Sequence, residues 1–456
     1  KKKKTMENQN EKQTNTKSNF FQSNTAKMIM VGALTLFLLI PLSLVQDLIS
    51  ERSQRKNEVI AEVNSTWGEN INFYGPILKV PFKEETETTY IDSKTNQTSI
   101  QKTTSINYAY FFPEELQNKT KVEKVSDIKR SLYNPIVFKA DMSFNGNFEN
   151  LNFEKLGIKK ENIVWEKAAI IIKTTNLKSI KSDLKIKVNG SNYSMESKTD
   201  EGDNTFGTLE TSSFNITDIS KIDFNYNMKY NGSNSVQFIP IGKTTSTSLD
   251  ANWDSPSFIG DFAPNDTTKA ISKDAFHADW KVLHINRAFA QQHIGIIPHL
   301  ESYAYGVKLI ETVDQYQQNE RASKYGFLVI GLTFLIFFLI QTISKIGIHI
   351  FQYTMIGLAL IMFYTLLISI TEHSSFTIAY IIAAISVIIM LILYSISVLK
   401  NKKFPLFIGA ALTVLYSFIF VIIQLESYAL LVGSIGLFLI LGSVMYFSRK
   451  IDWNNN

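Results

Sequence analysis

No cysteine occurs in the 456 residues. Disulfide bridges, thiolate metal sites and a cysteine nucleophile are thereby excluded, while the redox compartment stays open. Histidine is scarce, with six residues. Four of them, His277, His284, His293 and His299, are spaced by seven, nine and six positions, which sets no pair at ligating distance on one helix or strand face. HExxH is missing as well, so neither a metal nor any other cofactor is expected. Serine-hydrolase signatures lack a strand–turn–helix setting; pairs such as Ser197-Lys198 fall among strands. The excess of basic over acidic side chains is small, +5 overall. The lysines are scattered through Asn/Ser/Thr-rich segments, with no basic stripe interleaved with aromatics, so nucleic acid is not an expected partner.

Charge itself is missing from the C-terminal third. Residues 326–344, 352–370, 376–399, 404–424 and 428–447 are five apolar runs without one charged side chain. Each approaches the ~20 residues that a helix needs to cross a hydrocarbon core of ~30 Å. Soluble helices are rarely apolar all round for this length, and five in succession identify an integral membrane protein. A sixth run, 28–49, is interrupted only by Pro41 and Asp47. It exceeds the 7–15 residues of a signal-peptide core and no Ala-x-Ala site follows, which favours an uncleaved anchor. The mean hydropathy of +0.00 conceals this division into a polar and an apolar half.

Orientation follows from the short loops. Lys345 lies in the first loop of the C-terminal block, Lys400, Lys402 and Lys403 lie in the third, and Arg449 and Lys450 follow the last run. The second and fourth loops carry only Glu372 and Glu426. The positive-inside rule makes the basic loops cytoplasmic. Arg52, Arg55, Lys56, Arg321 and Lys324 stand on the other side, but six crossings bring both termini to the cytoplasm. The expected organisation is a disordered cytoplasmic tail (1–27), an anchor helix (28–49), an exported β-rich domain (50–324), a five-helix transmembrane bundle (325–448) and a cytoplasmic tail (449–456).

Alternation of apolar and polar residues marks the exported domain as strands. Ile222, Phe224, Tyr226, Met228 and Tyr230 alternate up to Asn231-Gly232; Phe138, Ala140, Met142 and Phe144 up to Asn145-Gly146; Leu184, Ile186 and Val188 up to Asn189-Gly190. Asn-Gly between alternating segments predicts a type I′ hairpin. Three such hairpins imply an antiparallel, sandwich-like domain. Acidic 84–89 and 199–204 are expected as loops. Asp200-Glu201-Gly202-Asp203 lacks the ligand spacing of a calcium loop and is read as a solvated turn.

Two stretches resemble the CreD family of bacterial inner-membrane proteins. One runs from Lys324-Tyr325 through Leu332-Thr333-Phe334, Phe337-Phe338-Leu339, His349, Gln352-Tyr353, Gly357 and Phe363-Tyr364 to Glu372-His373, Phe376 and Ala379-Tyr380. The other contains Pro240, Gly242, Trp253, Pro256-Ser257-Phe258, Gly260, Pro264, Phe276, Ala278 and Trp280. Gln341 stands where the family often has glutamate, Ile350 replaces a proline and Ala263 a leucine. The resemblance implies the same layout, with the large domain periplasmic, and a role in cell-envelope integrity and stress. It supplies no catalytic residues.

Several side chains are candidates for function. Glu372 and His373, at the outer end of the third span, form either a titratable site with Tyr380 or a solvated helix cap. His349, Gln352 and Tyr353, at the inner end of that span, fit interfacial anchors, and Gln341, Gln352 and Gln424 fit interhelical hydrogen bonds. Trp253, Pro256, Phe258 and Trp280 form a core or, if exposed, a surface for a protein, lipid or glycan partner. The favoured reading is non-enzymatic: an envelope-stress membrane protein whose exported domain binds or senses an envelope component. The alternative is a transporter or lipid-handling protein using a cavity in the bundle.

Overall fold

The computed structural model describes residues 24–91, 98–125, 133, 135–198, 206–217, 220–310, 314–344, 346–399, 403–425 and 428–449. It divides into two compact units: residues 56–312, and residues 1–55 together with 313–456. Of the tails expected at 1–27 and 449–456, residues 1–23 and 450–456 lie outside the described residues, as do the acidic turn at 200–203 and the loop lysines Lys345, Lys400 and Lys402, while residues 24–27 are helical rather than disordered.

In the second unit six helices are long and apolar enough to cross a membrane, one N-terminal and five C-terminal. Helix α1 (Asn24–Trp67) runs for 44 residues with Pro41 inside it. A polar helix α2 (Gln315–Lys324) then leads into α3 (Gly326–Ser344), α4 (Ile350–Thr371), α5 (Phe376–Leu399), α6 (Lys403–Gln424) and α7 (Ala429–Ser448). Leu38 and Leu42 of α1 join Phe334, Phe337, Leu360, Leu367, Val387 and Leu412 in one core. Helix α2 starts at Asp314, whose carboxylate accepts the Tyr316 N–H at 2.9 Å. Its Asn319 is fully buried and accepts from Thr371 Oγ1 at 3.4 Å, and its Ser323 carbonyl accepts from Gln46 Nε2 at 3.0 Å.

The first unit is a mixed β structure in two facing layers. Its strands are β1 (Ile71–Ile91), β2 (Thr98–Phe111), β3 (Glu115–Lys124), β4 (Val137–Glu149), β5 (Ala169–Thr174), β6 (Lys185–Val188), β7 (Ser191–Lys198), β8 (Gly207–Thr211), β9 (Lys221–Ser233), β10 (Ser235–Phe238), β11 (Thr244–Ala251), β12 (Pro256–Gly260), β13 (Ala270–Ile271), β14 (Phe276–Leu283), β15 (Gln292–Ile294) and β16 (Tyr305–Leu309). One layer runs β12-β16-β10-β1-β5-β8, with β2 and β15 continuing from β1; the other runs β6-β9-β4-β3-β11-β14-β13. Strand β7 belongs to both, pairing with β6 through Ser191–Ser194 and with β8 through Met195–Lys198. Ladders are antiparallel except β1 with β10 and β3 with β11, which are parallel. Phe73 of one layer stacks on Phe144 of the other at 4.4 Å, and Tyr305 meets Thr247 through their hydroxyls at 2.6 Å.

Alternation is preserved in the strands it predicted: β9 reads exposed–buried without a break from Lys221 to Tyr230. The Asn-Gly rule holds at one site of three. Asn189 and Gly190 both have positive φ, 47° and 90°, and join β6 to β7 as a tight hairpin. Asn145-Gly146 and Asn231-Gly232 are not turns. They lie inside β4 and β9, which pair with each other from Val137↔Ser233 to Glu149↔Lys221. Gly146 sits opposite Phe224 and Gly232 opposite Phe138, so each aromatic ring covers the space a side chain would fill. Residues 84–87 are likewise strand rather than loop, paired with 102–105 and tied by a Lys102–Glu87 ion pair of 2.9 Å.

Candidate functional site

The aromatic candidates of the β unit form a seam between its layers. Trp253 and Trp280 are both buried, and each indole N–H donates to a carbonyl at 3.1 Å, Ile310 O for Trp253 and Phe262 O for Trp280. Phe258 packs edge-on against Phe276 and Trp280, both at 5.9 Å, and Trp280 lies 5.6 Å from the Tyr305 ring. Pro256 is half-buried where β12 pairs with Leu309. Both indoles are buried, the core alternative: alternation in β14 turns Trp280 inward, and Trp253, in the connection between β11 and β12, is held by its bond to Ile310 O. Trp253 stands apart from the Trp280 cluster, with the Lys124 ammonium 4.4 Å from its ring.

His277, one of the four scattered histidines, is held between two carboxylates. Nδ1 meets Asp250 Oδ1 at 2.7 Å and Nε2 meets Asp279 Oδ2 at 3.0 Å. The hydrogen bond that the protonated ring donates to Asp250, and to a lesser degree that to Asp279, raises its pKa above the ordinary 6.5 against some desolvation. Lys121, which lies opposite Asp250 in β3, is the facing cation. A histidine whose pKa rises on folding stabilises the fold below about 6.5, and that contribution disappears as pH rises through the folded value. The stability gap between the parent and His277→Gln is therefore expected to be widest near pH 5.5 and to close by pH 8.5. With about a third of the ring exposed, the gap stays under ~1 kcal/mol. Thermal melts of both proteins at the two pH values read this, and a gap independent of pH would refute the clamp.

Arg287 escaped the sequence reading because nothing local distinguishes it from a surface arginine. It is 7% exposed, its guanidinium lies over the Phe289 ring at 3.9 Å, and Nη2 donates to Ile241 O and Gly242 O at 3.0 and 2.9 Å and also to Gln291 Oε1. Burial pushes its pKa down to about 10. Among the described residues, Nε and Nη1 have no hydrogen-bond partner.

Strand β2 has an open edge. It pairs with β1 along its length but with β15 only at Ala109–Phe111, so among the described residues 98–107 have no second neighbour. Where β15 ends, Ile106, Ile294 and Ile296 are 53, 40 and 77% exposed, and Ile100, six residues along β2, is 62% exposed. Gly295 N–H donates to Tyr108 O at 2.9 Å, which holds Ile294 and Ile296 beside this edge.

In the bundle, the three residues proposed as a titratable site have different surroundings. Glu372 is the C-cap of α4 and lies 3.7 Å from Arg52 of α1, while His373 is exposed. Tyr380 is buried within the bundle, donating to Tyr416 O at 2.8 Å across α5 and α6 and packing among Phe363, Phe376 and Phe420. His349 is the N-cap of α4: its Nδ1 accepts from the Phe351 N–H at 3.2 Å and the Gln352 amide oxygen accepts the His349 N–H at 2.9 Å, a reciprocal cap. Tyr353 is buried and donates to Gln341 Oε1 at 2.8 Å, bridging α4 to α3, a contact of ~1 kcal/mol in a bilayer. Gln424 is exposed at the end of α6.

A cleft of about 740 Å³ opens between α3, α6 and α7. Leu339, Phe407 and Leu439 represent its apolar walls, and Lys403 and Ser443 are the polar residues among the lining. None of Glu372, His373 and Tyr380 lines it. Among the described residues, no group of three His, Asp or Glu is placed to hold a metal.

Known proteins place the chain. Residues 23–454 match the family model described as inner membrane protein CreD. The inner membrane protein CreD of Escherichia coli K12 is 29% identical over 434 residues, covering 94% of this chain and 93% of the relative. Among solved structures, a candidate nutrient-binding protein of Legionella pneumophila is 10% identical with a TM-score of 0.24, covering 49% of this chain and 77% of that one. Native yeast LTA4 hydrolase is 6% identical with a TM-score of 0.19, covering 48% and 35%. At these scores neither speaks to the fold. Six spans around a large β unit and a family match over nearly the whole sequence lead to one assignment: the chain belongs to the CreD family of inner membrane proteins.

Proposed function

We propose that the β unit is exported to the periplasm, with both termini cytoplasmic, and that it binds or senses an envelope component in a role in envelope integrity. Six membrane-length helices support the topology, since an even number of crossings returns the chain to its starting side. The observation that carries the binding reading is the set of exposed isoleucines, Ile106, Ile294 and Ile296, where the open β2 edge begins. Water-facing isoleucines along an uncapped strand mark a place where another surface adds on. Ile106→Lys combined with Ile296→Asp is expected to leave protein level and melting temperature unchanged while abolishing resistance to envelope stress. Wild-type resistance in that double variant would remove the reading. A topology reporter fused at Asn231 and read in the cytosol would remove the orientation.

A second reading, a bundle that holds lipid, is favoured by the apolar cleft between α3, α6 and α7. The polar route that Glu372, His373 and Tyr380 would have formed has no such support, since Tyr380 is turned into the helix packing.

A further inference from the structure

We propose that a second copy of this chain adds to the open edge of β2, its own β2 pairing antiparallel about a twofold axis at Thr103. This rests on the reading of that edge as a place where another surface adds on, and names the surface.

Past its other neighbours in the layer, β1 continues with β2 as a ribbon of two strands. Among the described residues, the last cross-strand partner of β1 other than β2 is Ile163, opposite Phe82. The nine pairs from Lys83↔Ile106 to Ile91↔Thr98 follow with no third strand. A two-stranded ribbon alone is marginally stable in water, and at ~3.4 Å per residue this one runs about 30 Å. Neither proline nor bulge blunts its β2 edge, since the register with β1 is unbroken from Phe111 to Thr98. The direction of the free backbone groups is fixed by the segment that β15 belongs to. Tyr108 O accepts from the Gly295 N–H and the Phe112 N–H donates to Gln291 O, so even-numbered residues of β2 turn N–H and C=O away from β1. The free groups of the edge therefore belong to Ile100, Lys102, Thr104 and Ile106.

These four residues are self-complementary. In an antiparallel pair, outward-turned residues exchange bonds only with outward-turned residues. An axis at Thr103 sets Ile100 opposite Ile106 of the second copy and Lys102 opposite Thr104, all on one face by the strand period of two. The neighbouring registers are worse. An axis at Lys102 places the two lysines against each other, and one at Thr104 brings Ile100 to Tyr108, whose carbonyl already serves Gly295. Lys102 itself is paired within its own copy to Glu87 at 2.9 Å, so no net charge opposes the approach. The other edge of the ribbon, β1 from Lys83, carries Glu84, Glu85 and Glu87 and repels its like. An unrelated strand would make no use of the symmetry of the β2 edge, whereas a second copy joins two ribbons into one four-stranded sheet and closes as an isologous dimer.

The absence of native cysteine makes one introduced thiol diagnostic. Thr103→Cys puts both thiols at the axis, in a non-hydrogen-bonded pair whose Cα atoms stand ~4.5 Å apart, within disulfide range. Gln101→Cys lies on the same face of β2, but the register holds its two copies about 14 Å apart, four residues along the strand. In isolated membranes treated with the oxidant copper–phenanthroline, Thr103→Cys is expected to give about fivefold more disulfide-linked dimer than Gln101→Cys. Light scattering of the detergent-purified full chain is expected to show two copies for the parent and one for Thr104→Pro, which removes an outward N–H and leaves the β1 ladder its bonds. Equal cross-linking at the two positions, a parent of one copy, or a Thr104→Pro variant still of two copies overturns the pairing. Ile106→Lys combined with Ile296→Asp then separates the two readings. Lost stress resistance leaves the edge to a different partner, and wild-type resistance removes both.

Discussion

Trp280→Ala lowers the stability of the β unit by about 3–5 kcal/mol, the usual cost of truncating a buried tryptophan. Trp280 is 2% exposed, its indole N–H is satisfied by Phe262 O, and its ring stands between Phe258 and Tyr305. Removing it opens a void at the seam of the two layers and leaves the Phe262 carbonyl without its donor. The apparent melting temperature falls by roughly 10 °C or more for a domain of this size, and protein level in the membrane falls with it. Trp280→Phe retains most of the ring contacts and loses chiefly the hydrogen bond, so its loss is the smaller. Limited proteolysis and thermal melts of detergent-purified protein measure both. If Trp280→Ala melted with the parent while losing stress resistance, the indole would be a contact surface for a partner rather than part of the core.

Gly146→Val is the second large loss, about 3–4 kcal/mol or enough to prevent folding of the β unit. A Cβ at Gly146 would overlap the Glu115 carbonyl of the neighbouring strand and approach Phe224 Cζ to 2.8 Å. The first obstacle is backbone and cannot rotate away, so the β3–β4 ladder has to separate at its end. In a hairpin turn at this position the obstacle would be the positive φ rather than the neighbouring backbone, and alanine would cost only a local strain of ~1–2 kcal/mol. Expression of the variant followed by protease digestion of isolated membranes separates the two: a β unit as resistant as the parent's would contradict the in-strand placement.

Gly146 also shows where sequence reading reached its limit. Asn-Gly is a strong local turn signal, and at Asn189-Gly190 the local preference prevails because β6 and β7 have few residues on either side. In β4 and β9 thirteen consecutive cross-strand pairs outweigh it, and that pairing joins segments distant in sequence. The six spans were legible because a bilayer imposes length and polarity on each helix separately. Alternation located β4, β6 and β9 for a similar local reason. The parallel pairs β1–β10 and β3–β11 leave no local trace. Trp253 and Trp280 were recognisable as core or surface, and only their tertiary neighbours decide between these. Gln341 and Tyr353 were identified as interhelical and interfacial residues, yet their partnership needed the packing of α3 on α4. Arg287 and the α3–α6–α7 cleft are products of tertiary assembly alone.

Strand β1 has a further consequence, for the order in which the molecule can be made. It lies in the middle of its layer, yet its parallel neighbour β10 and the following strand β16 are among the later parts of the β unit to be synthesised. Contacts so distant along the chain are slow to close, and the growing polypeptide must wait for them with apolar faces uncovered. Closure of β1 on β10 is therefore expected to be a late and slow step in the folding of the β unit.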